Sequence, residues 1–175
     1  SHGATVPFGL SAVFAVAAGR DHSLALKGDR TVVAWGDNSW GQTAVPTGLT
    51  GVVAIGAGGT HSLVLKSDGT VVGWGNDGSG QVTVPTGLSG VVAIAVGYAH
   101  NLALKADGTV VGWGWNASGQ ATVPSELTGV VAISARGSHS LALKSDGTVV
   151  AWGSNEYGRS TVPDGLGGVV AIAAG

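Results

Sequence analysis

The sequence predicts an all-β fold built from repeated sheets, and a period of 39 residues is the main observation behind this prediction. Three residue types keep the same period along the 175 residues. They are the histidines His22, His61, His100 and His139, the tryptophans Trp35, Trp74, Trp113 and Trp152, and the prolines Pro7, Pro46, Pro85, Pro124 and Pro163. No segment shows the apolar period of a helix.

Short apolar segments separated by turns predict the strands of each repeat. In the second repeat we expect four strands, A to D, at residues 52–58 (VVAIGAG), 61–66 (HSLVLK), 70–75 (TVVGWG) and 81–84 (QVTV). Asp68-Gly69 predicts a hairpin turn between B and C, because this dipeptide accepts positive φ. Pro85 is expected to end strand D, since it has no N–H for a ladder.

Strands A and C are apolar or small on both faces, so each sheet needs cover on both sides. Stacked neighbouring repeats supply that cover, and four-stranded sheets repeated around an axis form a β-propeller. We therefore expect an all-β propeller of about 39-residue four-stranded blades, with four blades per chain, completed by a second chain. Residues 1–175 would form one repeat domain, with blades at residues 8–46, 47–85, 86–124 and 125–163.

The two ends of the chain predict how the propeller closes. Residues 1–7 and 164–175 are leftover half-repeats, and Ser1-His2-Gly3 resembles the remainder of a cleaved expression tag. Four blades would leave two apolar faces in water, and such faces attract partners. We expect a homodimer that closes an eight-bladed ring, in which residues 169–175 pair with residues 22–27 of the second copy. The joint is expected to bring Val32, Val33 and Trp35 of one copy against Val149, Val150 and Trp152 of the other.

Composition excludes several classes of partner. The net charge of −2 gives no attraction to nucleic acid or to an anionic membrane, and no apolar stretch has the roughly 20 residues of a membrane span. The chain has no cysteine, so a disulfide framework and a thiolate metal site are excluded. No cofactor is expected.

Residues that break the period predict a binding face. The loops after strands A and C lie at one end of an up-and-down sheet, and they carry the variable positions. Large aromatic residues that do not repeat are found in these loops, whereas packing residues would repeat with the fold. Trp and Tyr are enriched at binding hot spots. The candidate binding residues are Trp40, Tyr98, Trp115, Tyr157, Arg20, Asp37 and Asn76; drift of exposed loops or self-association is the alternative interpretation.

The recurring histidines do not predict catalysis or metal binding. Asp21-His22-Ser23 contains the residue types of a triad, but adjacent strand residues point to opposite faces and cannot align. Packed sheets are about 10 Å apart, whereas zinc needs its ligands within about 2.0–2.3 Å. We expect no enzyme and no metal site, and we expect these histidines to bond the loop backbone.

The repeat "GVVAIGAGGTHSLVLKSDGTVVGWGNDGSGQVTVP" (residues 51–85) resembles the short form of the regulator-of-chromosome-condensation repeat. It is most similar to the bacterial β-lactamase inhibitory protein II group, over essentially the whole chain. That resemblance implies a seven-bladed propeller whose loops on one face bind an enzyme, and a secreted bacterial protein. The eukaryotic members, nucleotide exchange factors on chromatin, have longer repeats and basic tails, so their activity is not expected here.

Two functions follow from the sequence. The first is a non-enzymatic binding module that recognises a protein, such as a β-lactamase-like enzyme, or a carbohydrate through the loops after strands A and C. The second is a structural, self-assembling half-propeller without a ligand, either a natural fragment of a longer array or an engineered repeat protein.

Overall fold

A computed structural model describes residues 5–175 and contains four antiparallel sheets of three strands each. We number the sheets as units one to four: β1 (Val13–Ala18), β2 (His22–Lys27) and β3 (Val32–Gly36); β4 (Val52–Ala57), β5 (His61–Lys66) and β6 (Val71–Gly75); β7 (Val91–Val96), β8 (His100–Lys105) and β9 (Val110–Gly114); β10 (Val130–Arg136), β11 (His139–Lys144) and β12 (Val149–Gly153). A short 3-10 helix, Glu156–Gly158, follows β12. No helix in this part of the chain has the length and apolar character to cross a membrane. Ser1-His2-Gly3 lies outside the described residues.

Strands A, B and C form where the sequence predicts them. In unit two, β5 pairs with β4 and β6, with Leu63 opposite Gly56 and Gly73. A bulge at the start of β4, between Val52 and Ala54, leaves Val53 as the extra residue. The same bulge recurs in all four units, and a bulge of this kind bends the strand and increases its twist.

The Asp-Gly turns between strands B and C are confirmed. Asp68 accepts hydrogen bonds from the backbone N and the Oγ1 of Thr70, at 3.0 and 2.6 Å. Lys66 pairs with the same carboxylate at 3.0 Å, and Gly69 has a φ of +79°. These bonds lower the pKa of Asp68, with the Thr70 hydroxyl as the main cause. In unit one the residue with positive φ is Arg30, at +65°.

The predicted fourth strand does not form, and each unit has three strands. Residues 81–84 follow a bent path beside β6, and their backbone donors bond to a loop side chain instead of a neighbouring strand. Oδ1 of Asp77 accepts from the backbone N of Val82 at 2.9 Å and of Thr83 at 3.2 Å. Asn116 does the same in unit three. Side-chain acceptors of this kind compete with the ladder, which explains the wrong prediction.

The apolar core lies between the units, as stacked sheets require. Leu63 and Leu65 of unit two pack with Val91 and Trp113 of unit three in one cluster. Equivalent clusters fill the other two boundaries. The innermost strands of consecutive units contact each other, β1 with β4, β4 with β7 and β7 with β10. The A strands therefore line the common axis, which is why they are rich in Ala and Gly.

The four periodic tryptophans are not equally buried. Trp74, Trp113 and Trp152 are buried against the preceding unit, whereas Trp35 is half-buried. The difference arises because no unit precedes unit one within residues 5–175. The four sites are therefore not equivalent, because burial of the tryptophan requires a preceding unit.

Three residues assigned to the joint between two copies face inward instead. Val32 belongs to the cluster between units one and two, and Val150 and Trp152 belong to the cluster between units three and four. Alternation along strand C explains this, since neighbouring residues point to opposite faces of the sheet. That part of the predicted joint is wrong.

Residues 169–175 dock on unit four without forming a strand. The backbone N of Val169 donates to the carbonyl of Gly147 at 3.1 Å, as Val130 does to Gly108 at 3.3 Å. The backbone N of Ala174 donates to Oγ of Ser134 at 2.9 Å. The segment thus occupies the place of a further strand A beside β10. The strand A paired with β2 is β1 of the same chain.

Candidate functional site

The loops after strands A and C meet at one end of every unit, as predicted. Their contact is a backbone hydrogen bond between the two loops, from Asp37 to Asp21, Asn76 to Thr60, Trp115 to Ala99 and Ser154 to Ser138, with lengths of 2.8–2.9 Å. We call this end the top rim, comprising residues 19–21, 37–42, 58–60, 76–81, 97–99, 115–120, 137–138 and 154–159. The Asp-Gly turns lie at the opposite end, the bottom rim.

The non-repeating aromatic side chains are exposed on the top rim. Trp40 is 59% exposed, Tyr98 43%, Trp115 37% and Tyr157 100%, against 7–8% for Trp74, Trp113 and Trp152. Core packing therefore does not account for these four residues. The nitrogen Nε1 of Trp74 donates to the carbonyl of Gln42 at 2.9 Å, a buried role that the rim aromatics do not share.

Arg20 and Tyr98 are brought together although they belong to units one and three. Nη1 of Arg20 donates a hydrogen bond to the Tyr98 hydroxyl at 3.0 Å. The Tyr98 ring reaches across unit two because Gly59 has no side chain; a Cβ there would lie 2.7 Å from the ring. Trp40, Trp115 and Tyr157 lie instead on the loops after strand C.

Asp37 and Asn76 support their own loops. The Asp37 carboxylate accepts hydrogen bonds from Oγ of Ser39 at 2.6 Å and Nε2 of Gln42 at 2.7 Å. Its pKa is lowered, mainly by the Ser39 hydroxyl. Asn76 accepts from the backbone of Gly78 at 2.7 Å. These two side chains shape the surface on which the aromatics are displayed.

Tyr157 stands apart from the other rim aromatics in its backbone and its neighbours. Its φ of +60° is uncommon for a residue with a side chain. Arg159 lies over its ring at 5.8 Å from the centroid and pairs with Glu156 at 3.3 Å. The ring is therefore fully exposed but flanked by one cation.

The top ends of the A strands, with Ala174 and Gly175 at the chain end, line an open cavity of about 500 Å³, which we call the axial pocket. Its wall consists mainly of Gly and Ala, and its large side chains include Arg20, Tyr98, Val96 and Arg136. The sequence did not predict Arg136 as a site residue, because it lies at the end of strand A, one residue before the variable loop. The signal was available, because Gly19, Gly58 and Gly97 hold the same place in the other repeats.

Three of the four periodic histidines bond a side chain of the neighbouring unit through Nε2, whereas the sequence predicted a bond to the loop backbone. Nε2 of His22, His61 and His100 lies 2.9–3.0 Å from Ser62 Oγ, Asn101 Oδ1 and Ser140 Oγ respectively, each in the next unit. The three partner residues also donate a hydrogen bond to a backbone carbonyl, that of Gln42, Gln81 and Gln120 respectively. We call each such chain of bonds a unit latch.

The latch fixes the tautomer of His22, His61 and His100. Since Oγ of Ser62 donates to Gln42, it must accept from Nε2 of His22, which therefore carries the proton. Nδ1 is left as a buried acceptor without a partner, pressed against Gly19. Burial lowers the pKa of His22, His61 and His139, and that of His100 to about 4. These rings are neutral structural groups at neutral pH.

The sequence profile of the regulator of chromosome condensation (RCC1) repeat matches residues 15–42, 52–81, 91–120 and 130–159. The chain belongs to the RCC1 repeat family. The first three matched segments run from strand A to the buried glutamine of the latch, and the fourth ends at Arg159, which holds the equivalent position. No curated protein sequence matches the chain.

Solved structures share the fold of this RCC1-repeat chain at low sequence identity. Prp20p from Saccharomyces cerevisiae superposes with a TM-score of 0.74 at 21% identity, over 90% of this chain and 49% of that one. Human WBSCR16 superposes with a TM-score of 0.73 at 24% identity, over 89% of this chain and 52% of that one. The ectodomain of receptor kinase CR4 from Physcomitrella patens gives 0.69 at 24% identity, over 86% and 43%.

These likenesses show an RCC1-like repeat propeller, and the chain spans about half the length of the structures it matches. The Prp20p structure was described together with binding properties to Gsp1p and histones.

Proposed function

We propose that the chain is a non-enzymatic protein-binding module whose contact surface is the top rim. The observation that carries the proposal is the exposure of four non-repeating aromatics on one end of a repetitive scaffold. Loops on a rigid scaffold commonly carry recognition, and Trp and Tyr bury large areas at low entropic cost. Arg20 adds a charged group beside Tyr98, while Asp37 and Asn76 hold the loops in shape.

The partner we favour is a globular enzyme of the β-lactamase type. The support is the resemblance of the fixed repeat residues to the β-lactamase inhibitory protein II group, which would also make this a secreted bacterial protein. The alternative ligand is a carbohydrate, since exposed Trp and Tyr rings also stack on sugars. Specificity depends on the variable rim residues, whereas the resemblance lies in the fixed residues of the repeat. The resemblance therefore supports binding through the top rim more strongly than it supports a β-lactamase as the partner.

A quadruple variant tests the face directly. We expect Trp40→Ala, Tyr98→Ala, Trp115→Ala and Tyr157→Ala together to keep the melting temperature and to weaken binding by at least about 100-fold, since hot-spot residues contribute about 2 kcal/mol or more each. The measurement is biolayer interferometry against a panel of β-lactamases and a glycan array.

A bottom-rim variant provides the matched control. Val53, Val92 and Val131 are also exposed apolar residues, at 37%, 56% and 55%, but they lie at the bulges near the opposite end. Replacing these three by Ala should leave affinity unchanged. Equal affinity in the parent and the quadruple rim variant would contradict the proposed face.

A second candidate function, the self-assembling half-propeller, is favoured by the open face of unit one. Val13 is 41% exposed, whereas its equivalents Val52, Val91 and Val130 are 0–5% exposed. Val16 is 72% exposed on the same strand. In the other units these positions are covered by the preceding unit. A second copy that repeats the contact between units would cover them here.

The joint that we propose uses the side chains left on the open faces. Val33 and Trp35 of one copy would meet Leu141 and Val149 of a second copy, and His139 of the second copy would complete a latch to Ser23 of the first. Residues 169–175 already occupy the place of a strand A beside β10, so they would pair with β2 of the second copy in place of its own β1.

Mass in solution tests this assembly. A closed homodimer has twice the 17.0 kDa mass of the chain, which light scattering at micromolar concentration resolves. Deleting residues 164–175 should shift the equilibrium toward monomer, unless β1 substitutes for the missing strand. A monodisperse 17.0 kDa parent would contradict the closed ring and leave the binding-module proposal intact.

A further inference from the structure

The axial pocket contains a group that the repeat does not need. At the end of strand A, Gly19, Gly58 and Gly97 press against the ring of the following histidine. Arg136 takes this place in unit four, where β10 is one residue longer and Arg136 pairs with His139 in the ladder. His139 remains buried, so the fold tolerates a long cationic side chain that points away from the core.

The charges around the pocket are not balanced. Arg20 is committed on two sides, because its Nε pairs with Asp21 at 3.2 Å and its Nη1 donates to Tyr98. Arg136 forms no ion pair within residues 5–175. Among the side chains around the pocket, two guanidinium groups and one carboxylate therefore leave one positive charge, beside the chain end at Gly175.

The Tyr98 hydroxyl supplies a neutral donor beside these cations. Its oxygen accepts the hydrogen bond from Arg20, so its own proton is available to a ligand. Tyr98 is held in place from below as well, since the backbone N of Gly59 donates to its carbonyl at 2.8 Å and its own N donates to Gly137 at 2.9 Å. The donor is therefore fixed at the pocket rather than mobile on a loop.

We propose that the axial pocket binds a carboxylate, with Arg136 as the principal anchor and the Arg20–Tyr98 pair as the second wall. A guanidinium group matches a planar carboxylate through two parallel N–H···O bonds. A single unpaired guanidinium group suits a carboxylate better than a phosphate dianion. The volume of about 500 Å³ admits a small organic acid or one acidic side chain of a protein.

This site shares Arg20 and Tyr98 with the top rim but not Trp40, Trp115 or Tyr157, so variants of Arg136 test it independently of the proposed binding face. The carboxylate has two possible sources, a free small acid or a glutamate presented by a bound protein. Acetate and an acetylated, amidated Gly-Gly-Glu-Gly-Gly peptide distinguish the two sources as probes. The matching Gln peptide removes only the charge, and inorganic phosphate tests the preference for carboxylate.

The chain offers a matched pair of arginine variants for the test. Arg136→Gly installs the residue that the other three repeats carry, so the fold should be retained. Arg30→Gly removes the same charge from the bottom rim and also installs the repeat residue. The two variants have equal net charge, and they remove a cation from opposite ends of the molecule. Arg136→Gln is a second variant should the glycine affect folding.

Side-chain Nε–H signals of arginine, followed by NMR during titration of each probe, give the result. We expect the Glu peptide to shift the Arg136 signal saturably, with Arg136→Gly weakening the remaining shifts about tenfold or more and Arg30→Gly having no effect. Saturation by acetate as well would assign a free acid, and saturation by the peptide alone would assign a protein-borne glutamate. Equal response to the Gln peptide, tighter binding of phosphate, or equal loss in both variants would overturn the proposal.

Discussion

Nε2 of His61 donates a hydrogen bond to Oδ1 of Asn101 in the next unit, over 2.9 Å. Asn101 passes the connection on, because its Nδ2 donates to the carbonyl of Gln81 at 2.7 Å. The same carbonyl accepts Nε1 of Trp113 at 3.2 Å. Asn101 and Trp113 of unit three are thus both bonded to Gln81 at the end of unit two. Ser62 and Ser140 hold the place of Asn101 in the other two latches.

Substitutions at Asn101 should separate the chemistry of the latch from its size. Asn101→Ser keeps one acceptor and one donor, as at Ser62 and Ser140, and should change the free energy of unfolding by less than about 1 kcal/mol. Asn101→Ala leaves Nε2 of His61 buried without an acceptor and should cost about 1–3 kcal/mol. Urea unfolding measures both, and an alanine variant as stable as the serine variant would show that the latch contributes no stability.

Stability should fall as the pH is lowered from 6.5 toward 4. Burial lowers the pKa of His100 from 6.5 to about 4, so the unfolded chain binds a proton in this range that the folded chain does not. Stability therefore rises with pH across the window, by on the order of 3 kcal/mol for this one residue. Protonation would add a hydrogen at Nδ1 of His100, and this atom is buried without a hydrogen-bond partner.

A His100→Gln variant measured at several pH values provides the check. Its stability profile should be flatter than that of the parent between pH 4 and 6.5, whereas the two profiles should run parallel below this window. There the aspartates of the turns dominate, since hydrogen bonds from threonine lower the pKa of Asp29, Asp107 and Asp146 to about 2. Parallel profiles across the upper window would contradict a neutral buried His100.

Arg30→Gly should stabilise the chain. Arg30 has a φ of +65°, a conformation that costs a residue with a Cβ about 1–2 kcal/mol and costs glycine little. Its equivalent Gly69 has a φ of +79° in the same Lys-x-Asp-x-Thr turn. Thermal unfolding should show a higher midpoint for Arg30→Gly and a lower one for Gly69→Arg, and the opposite order would contradict the account.

Periodicity predicted the strands and the rim well because both follow from residues that recur at fixed spacing. The absence of strand D could not be predicted from the residue types at 81–84. The backbone N–H groups of this segment donate to Asp77, several residues earlier, instead of to a neighbouring strand. The latch was missed for a similar reason. His61 and Asn101 are one period and one residue apart, so their contact depends on how one unit stacks on the next.

The candidate site was likewise predictable from the sequence only in part. Exposure of Trp40 and Tyr157 could be predicted because neither residue repeats, and packing must repeat. The bond from Arg20 to Tyr98 could not, because it spans unit two and depends on the small size of Gly59. Arg136 could have been found by asking which glycine of the repeat is lost.

Trp74→Ala and Trp35→Ala should differ in cost in a way that reports on assembly. Trp74 is 7% exposed and donates from Nε1 to Gln42, so its truncation should cost about 3–5 kcal/mol. Trp35 is half-buried on the open face of unit one, so in an isolated chain its truncation should cost clearly less.

If a second copy closes that face, Trp35 becomes equivalent to Trp74. The cost at Trp35 should then rise with protein concentration, while the cost at Trp74 stays constant. Chemical unfolding at nanomolar and at tens of micromolar concentration measures the difference. A Trp35→Ala cost that is small and independent of concentration would argue against closure by a second copy, and an unchanged stability of Trp74→Ala would refute the buried tryptophan as a core residue.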